Sequence, residues 1–135
     1  MKIAILSDIH GNLFALNSVL EDIKNNNVDE IFCLGDLAMA GPEPNKTIDF
    51  VKGQNWTIVQ GNTDKMIADY SEAVYNAVKE GAPIMANALE NDVKLVSVEN
   101  KEYLKKTIYI SIDDKVSDIQ TVTINNRDWK LITVE

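Results

Sequence analysis

Asp8 with His10, then Asp36, then Asn62 with Asp64 are the residues of this 135-residue chain whose types and spacing could hold divalent cations together. Carboxylate, imidazole and amide-oxygen donors suit Mn, Fe, Zn or Ni. Two such ions roughly 3.5–4 Å apart can clamp an in-line phosphoryl displacement, and a shared carboxylate holds that spacing. Water on such a pair is acidified from about 15.7 toward about 7, so a hydroxide nucleophile forms near neutral pH and no side-chain nucleophile is needed. Taken singly, each residue has a plainer reading. Asp8 is then a turn aspartate after a strand, His10 a satisfied structural histidine, and Gly61-Asn62 a tight turn. Their joint placement points to ligation.

That placement depends on the elements before each residue. Lys2 to Ser7 is a continuous apolar run without helical spacing, which predicts a parallel strand buried on both faces. Asn12 can cap a helix carrying Leu13, Leu16, Val19, Leu20 and Ile23 on one face and dying in Asn25-Asn26-Asn27. Ile31 to Leu34 predicts a second strand ending at Gly35-Asp36, with a turn-rich loop from Leu37 to Pro44. Pro44 opens a short helix, and Trp56 to Val59 is a third strand ending at Gly61-Asn62-Thr63-Asp64. In open parallel sheets ligands bind beyond the carboxyl ends of the strands, so three neighbouring strands bring these clusters to one rim.

From Lys65 to about Leu104 the pattern is helical, with Met66, Ile67, Tyr70, Val74, Ala77 and Val78 on one stripe and a break at Gly81-Ala82-Pro83. After Thr107, β-branched alternation predicts three strands, Thr107–Ile112, Ile119–Ile124 and Trp129–Val134, joined by hairpin-type turns at Asp113-Asp114-Lys115 and Asn125-Asn126-Arg127. Cys33, Trp56, Trp129 and the Met66-Ile67-Tyr70 stripe are expected in the core. There is no internal repeat or linker, so residues 1–135 read as a single domain.

A net charge of -8 repels a nucleic-acid backbone, so general nucleic-acid binding is disfavoured, and a protein this acidic would handle phosphate through bound cations. The single cysteine allows no internal disulfide, and no apolar run reaches the roughly twenty residues of a membrane helix. A cytoplasmic protein without a membrane partner is the expectation.

Asp8-Ile9-His10, Gly35-Asp36 and Gly61-Asn62-Thr63-Asp64, about 25 residues apart, resemble the D-x-H, G-D and G-N-x-D motifs of the calcineurin-like metallophosphoesterases, above all the small bacterial phosphodiesterase-type members. The resemblance implies an α/β fold, a βαβαβ layer followed by helices and a small C-terminal β region, without the second half of a four-layer sandwich. It further implies that Asp8 and His10 bind one metal, Asp36 bridges two, and Asn62 binds the second. Asn12 and the Gly11-Asn12 amides would assist phosphate binding, with Asp64 supporting as a helix-capping residue. The implied substrate is a small phosphomonoester or phosphodiester.

Two departures stand out. Many members carry a leaving-group histidine where this chain has Thr63, a poor general acid. The family completes its metal shells with three histidines from the second half, including G-H-x-H, whereas this chain has one histidine in all. The strand-like end at Leu131–Glu135 reads as a truncation, with one metal or none held by this chain and the missing half supplied by a longer product or another subunit. Two rivals belong to other classes: a non-catalytic metal-binding or scaffold protein, and a phosphoacceptor receiver domain, against which His10 and the G-N-x-D motif argue.

Overall fold

A computed structural model describes residues 1–109, 116–124 and 127–134, with side chains described through residue 107. Strand β1 (Ile3–Leu6) leads through helix α1 (Leu13–Asn25) to β2 (Glu30–Cys33), then α2 (Pro44–Lys52) and β3 (Thr57–Gln60). Four helices follow, α3 (Asn62–Ala68), α4 (Glu72–Gly81), α5 (Pro83–Leu95) and α6 (Val98–Lys106), before β4 (Ile108–Tyr109), β5 (Val116–Ile124) and β6 (Arg127–Val134). This is the expected α/β order.

The sheet runs β1-β2-β3-β4, all parallel, in the registers Ile5 with Phe32, Phe32 with Thr57 and Val59 with Ile108. Three successive strands therefore end side by side, as the motif argument required. Of the three C-terminal strands expected to form one hairpin-linked region, only β5 and β6 pair with each other, antiparallel, while β4 extends the parallel sheet. A two-residue strand such as Ile108–Tyr109 reads alike in sequence whether its partner is sequential or distant. The Asp113-Asp114-Lys115 and Asn125-Asn126 turns and the Trp129 side chain lie outside what is described.

Strand β1 is not buried on both faces. Leu6, Cys33 and Ile58 face the helices and join a core of Leu16, Leu37, Ile48, Val51, Ile67, Leu89 and Leu104. On the opposite face Ile3 is 42% and Ile5 67% exposed, and Leu34 beyond β2 is 49% exposed. Helices cover one side of the sheet, and a strand's own composition does not say how many sides are covered.

The helical middle is broken more often than its apolar spacing suggested. Besides Ala82, Ser71 caps α4 by accepting from the Val74 amide, and Ser97 caps α6 by accepting from Asn100. The stripe through Met66 and Val74 is thus split between two helices, which leaves Tyr70 exposed. Val19 on α1 is likewise 42% exposed. Trp56 is half-buried and packs edge-on against Phe50. Asn45 on α2 pins the last break: its amide nitrogen donates to Leu95 O at 2.7 Å and its oxygen accepts from Ser97 N at 2.9 Å. Gln60 Nε2 donates to Leu104 O at 2.6 Å, which ties the sheet to α6.

A sheet covered on one side should respond unequally to substitution. Leu104→Ala is expected to cost about 2–5 kcal/mol, whereas Ile5→Thr on the open face should cost less than about 1 kcal/mol. Denaturant unfolding of both variants checks this, and similar losses would contradict a one-sided sheet.

Candidate metal centre

The loops after β1, β2 and β3 are pressed together by their own backbones. Asp8 N donates to Gly35 O at 3.2 Å, His10 N to Asp36 O at 2.8 Å and Gly11 N to Leu37 O at 2.8 Å. A Cβ on Gly35 would stand 2.6 Å from the Gly61 Cα, and one on Gly61 would collide with Asp36, so both positions require glycine. Asp8, His10, Asp36, Met39 and Ala40 all have positive φ, between 48° and 92°. Such left-handed non-glycine residues cost on the order of 1–3 kcal/mol each and persist where the surroundings over-determine them.

This folding brings Asp8, His10 and Asp36 together, with one potential ligand atom from each lying within 4.8 Å of the others. His10 Nε2 is 3.5 Å from Asp8 Oδ1. Its Nδ1 lies 3.3 Å from the Ala38 carbonyl, which can only accept; with the proton on Nδ1, the Nε2 lone pair faces the carboxylates and is free for a cation. Asp36 Oδ1 accepts from both the amide and the hydroxyl of Thr63, each at 2.9 Å. An oxygen, a nitrogen and a second oxygen converging at this distance fit a borderline divalent cation.

Asn62 is exposed at the first position of α3, beside Gly61. Asn12 caps α1 by accepting from Ala15 N at 3.0 Å. The Gly11 and Asn12 amides, expected as phosphate donors, are already used: Gly11 N donates to Leu37 O and Asn12 N to Ile9 O at 3.0 Å. Tight packing of the first two loops consumes them.

Asp64 is almost fully buried, accepting from Leu37 N at 2.8 Å, Gly61 N at 3.1 Å and Ala38 N at 3.4 Å. Burial outweighs these bonds and lifts its carboxyl from 3.8 to about 6. A further carboxylate escaped the sequence reading: Asp92 on α5, also buried, accepts from Met39 N at 2.7 Å. Its only sequence signal was an acidic residue on a helix, with nothing to mark it as inward-facing. Burial also pushes the Cys33 thiol up, which keeps it an inert core residue.

Residues 1–125 match the calcineurin-like phosphoesterase superfamily domain. The chain belongs to this superfamily. It is 50% identical over 62 residues to an uncharacterized protein of Methanocaldococcus jannaschii, covering 46% of this chain and 26% of that one. It superposes on a metallophosphoesterase from Sphaerobacter thermophilus with a TM-score of 0.62 at 31% identity, covering 84% of this chain and 44% of the other. A solved structure provisionally assigned as a diadenosine tetraphosphatase shares the fold at a TM-score of 0.58 and 20% identity, over 78% of this chain and 42% of that one. The chain thus spans between about a quarter and less than half of the length of these relatives. The superfamily is metal-dependent, and Asp8, His10 and Asp36 form a possible ligand cluster within the matched residues.

Two outcomes follow from this packing. Gly61→Ala should destabilise by about 2 kcal/mol or more, while Gly81→Ala, where a Cβ meets nothing within 4 Å, should be neutral or stabilising, as thermal melts will show. Asp64 holds its proton more tightly folded than unfolded, so its contribution is full below about 3.8 and is lost as pH rises through about 6. The stability of the metal-free protein relative to Asp64→Asn should therefore fall across that window, and a flat or rising difference would show that the amide bonds outweigh burial.

Proposed function

We propose that this chain supplies the first half of a dinuclear metal site that hydrolyses small phosphomonoesters or phosphodiesters. The observation carrying this reading is the convergence of Asp8, His10 and Asp36 within 4.8 Å. Asp8 and His10 would hold the first ion, Asp36 both, and Asn62 the second. The ions, of the Mn, Fe, Zn or Ni class, would neutralise phosphate oxygens and acidify a water.

The chain's own groups prepare this. Thr63 fixes Asp36 Oδ1 by two hydrogen bonds, which turns the carboxylate in one orientation. The Ala38 carbonyl would accept from His10 Nδ1–H, the tautomer that leaves Nε2 free to ligate. The Thr63 hydroxyl lies 3.0 Å from Ala38 O as well as against Asp36, so it serves the scaffold and not the leaving group. Remaining ligands would come from a complementing half, in a longer product or another subunit. A small soluble phosphoester is the proposed substrate, with no general nucleic-acid or membrane partner. A cytoplasmic setting belongs to the same proposal; no helix among the described residues is long and apolar enough to cross a membrane.

A second reading is favoured by one observation: the chain has a single histidine. As a non-catalytic metal-binding or scaffold protein it would hold one ion weakly and hydrolyse nothing. Elemental analysis of purified protein, with turnover of an aryl phosphodiester, separates the two. Asp36→Asn should lower metal content and turnover at least about tenfold. Metal bound without turnover supports the scaffold, and absence of Mn, Fe, Zn and Ni from the wild-type protein ends both readings.

A further inference from the structure

Four successive amides of the loop after β2 point at two buried carboxylates from different helices. Leu37 N and Ala38 N donate to Asp64 of α3, Met39 N donates to Asp92 of α5 at 2.7 Å, and the Ala40 amide also hydrogen-bonds Asp92. Asp92 is 53 residues from Met39 in sequence and only 4% exposed. Burying a carboxylate is unfavourable unless hydrogen bonds satisfy it, and here backbone amides of the site loop do so. Met39 and Ala40 have φ of 92° and 66°, a turn that non-glycine residues rarely keep without an outside constraint. The peptide preceding this turn presents the Ala38 carbonyl, which stands 3.3 Å from His10 Nδ1 and 3.0 Å from Thr63 Oγ1.

We propose that Asp92 is a positioning residue of the cation site: by clamping the Met39–Ala40 turn it aims the Ala38 carbonyl at His10 and so fixes which ring nitrogen is free to ligate. The inference rests on the cation-site reading above and extends it from the strand-end loops to α5. Asp64 alone cannot do the same, because it grips the loop on the near side of Ala38 while the left-handed turn lies on the far side. A neutral acceptor would bond these amides more weakly; the carboxylate takes both with an anionic charge that strengthens each bond.

The chain's only histidine makes the test direct, since its ring nitrogen signals in an NMR spectrum belong to His10 alone. The metal-free wild-type protein, above the titration range of histidine, should show the Nδ1–H tautomer. Asp92→Asn should give a mixture of tautomers and weaken Mn2+ binding, measured by calorimetry, about 10–100-fold. Leu89→Ala, a fully buried neighbour on α5, should lower the melting temperature yet leave tautomer and Mn2+ affinity unchanged. Wild-type tautomer and affinity in Asp92→Asn would overturn the proposal, as would equal changes in Leu89→Ala. If Asp92→Asn does not fold, Asp92→Ser gives the same comparison. Wild-type protein that takes up no Mn2+ would sink the cation site itself, and the tautomer comparison would still decide the role of Asp92.

Discussion

The arrangement depends on two glycines that let backbones touch. Gly35 and Gly61 end neighbouring strands, and the space a Cβ would need at either is filled by the other loop. Because the chains approach so closely, Asp36 can receive two hydrogen bonds from Thr63, and Asp64 can reach both the Gly61 and Leu37 amides. Any side chain at either position would separate β2 from β3 at their ends and loosen the Asp36 carboxylate. Glycine normally weakens a fold through its conformational freedom; here that cost is outweighed by a contact no other residue permits.

The same closeness explains where the buried charge sits. The loop after β2, with three left-handed residues other than glycine, turns its amides inward, and inward amides need acceptors. Strand partners are unavailable beyond the sheet edge, so the acceptors are side chains: Asp64 from the next helix and Asp92 from one much further along the chain. Strain, burial and charge at this rim are three consequences of one geometry. They are conditions under which a site is stiff, because Asp36 and His10 touch groups that are themselves held.

How much of this a sequence discloses depends on the range of the interaction. Asp8, His10 and Asp36 could be read because each follows its strand within a few residues and strand order in a βαβ chain is strongly constrained. The cap at Asn12 and the helix start at Pro44 were readable for the same reason. Ser71 and Ser97 carried a readable capping chemistry but were overshadowed by the apolar stripe around them. Asp92 was not readable, since inward-facing and outward-facing aspartates on a helix differ only in what tertiary packing puts beside them. The open face of β1 was hidden too: Ile3 and Ile5 have the composition of a strand covered on both sides, and composition does not record whether the cover is present.

That open face bears on the site. Helices support the strand ends from one side only, so Asp8, at the end of the edge strand, is the least enclosed of the three converging residues: it is exposed, whereas His10 and Asp36 are half-buried. An exposed carboxylate attracts a cation weakly because water screens it, and the attraction grows as water is excluded. Whatever excludes water beside Asp8 would raise the cation affinity of the cluster. Cover and cation would then stabilise each other by the same factor, since coupling between two binding events is reciprocal.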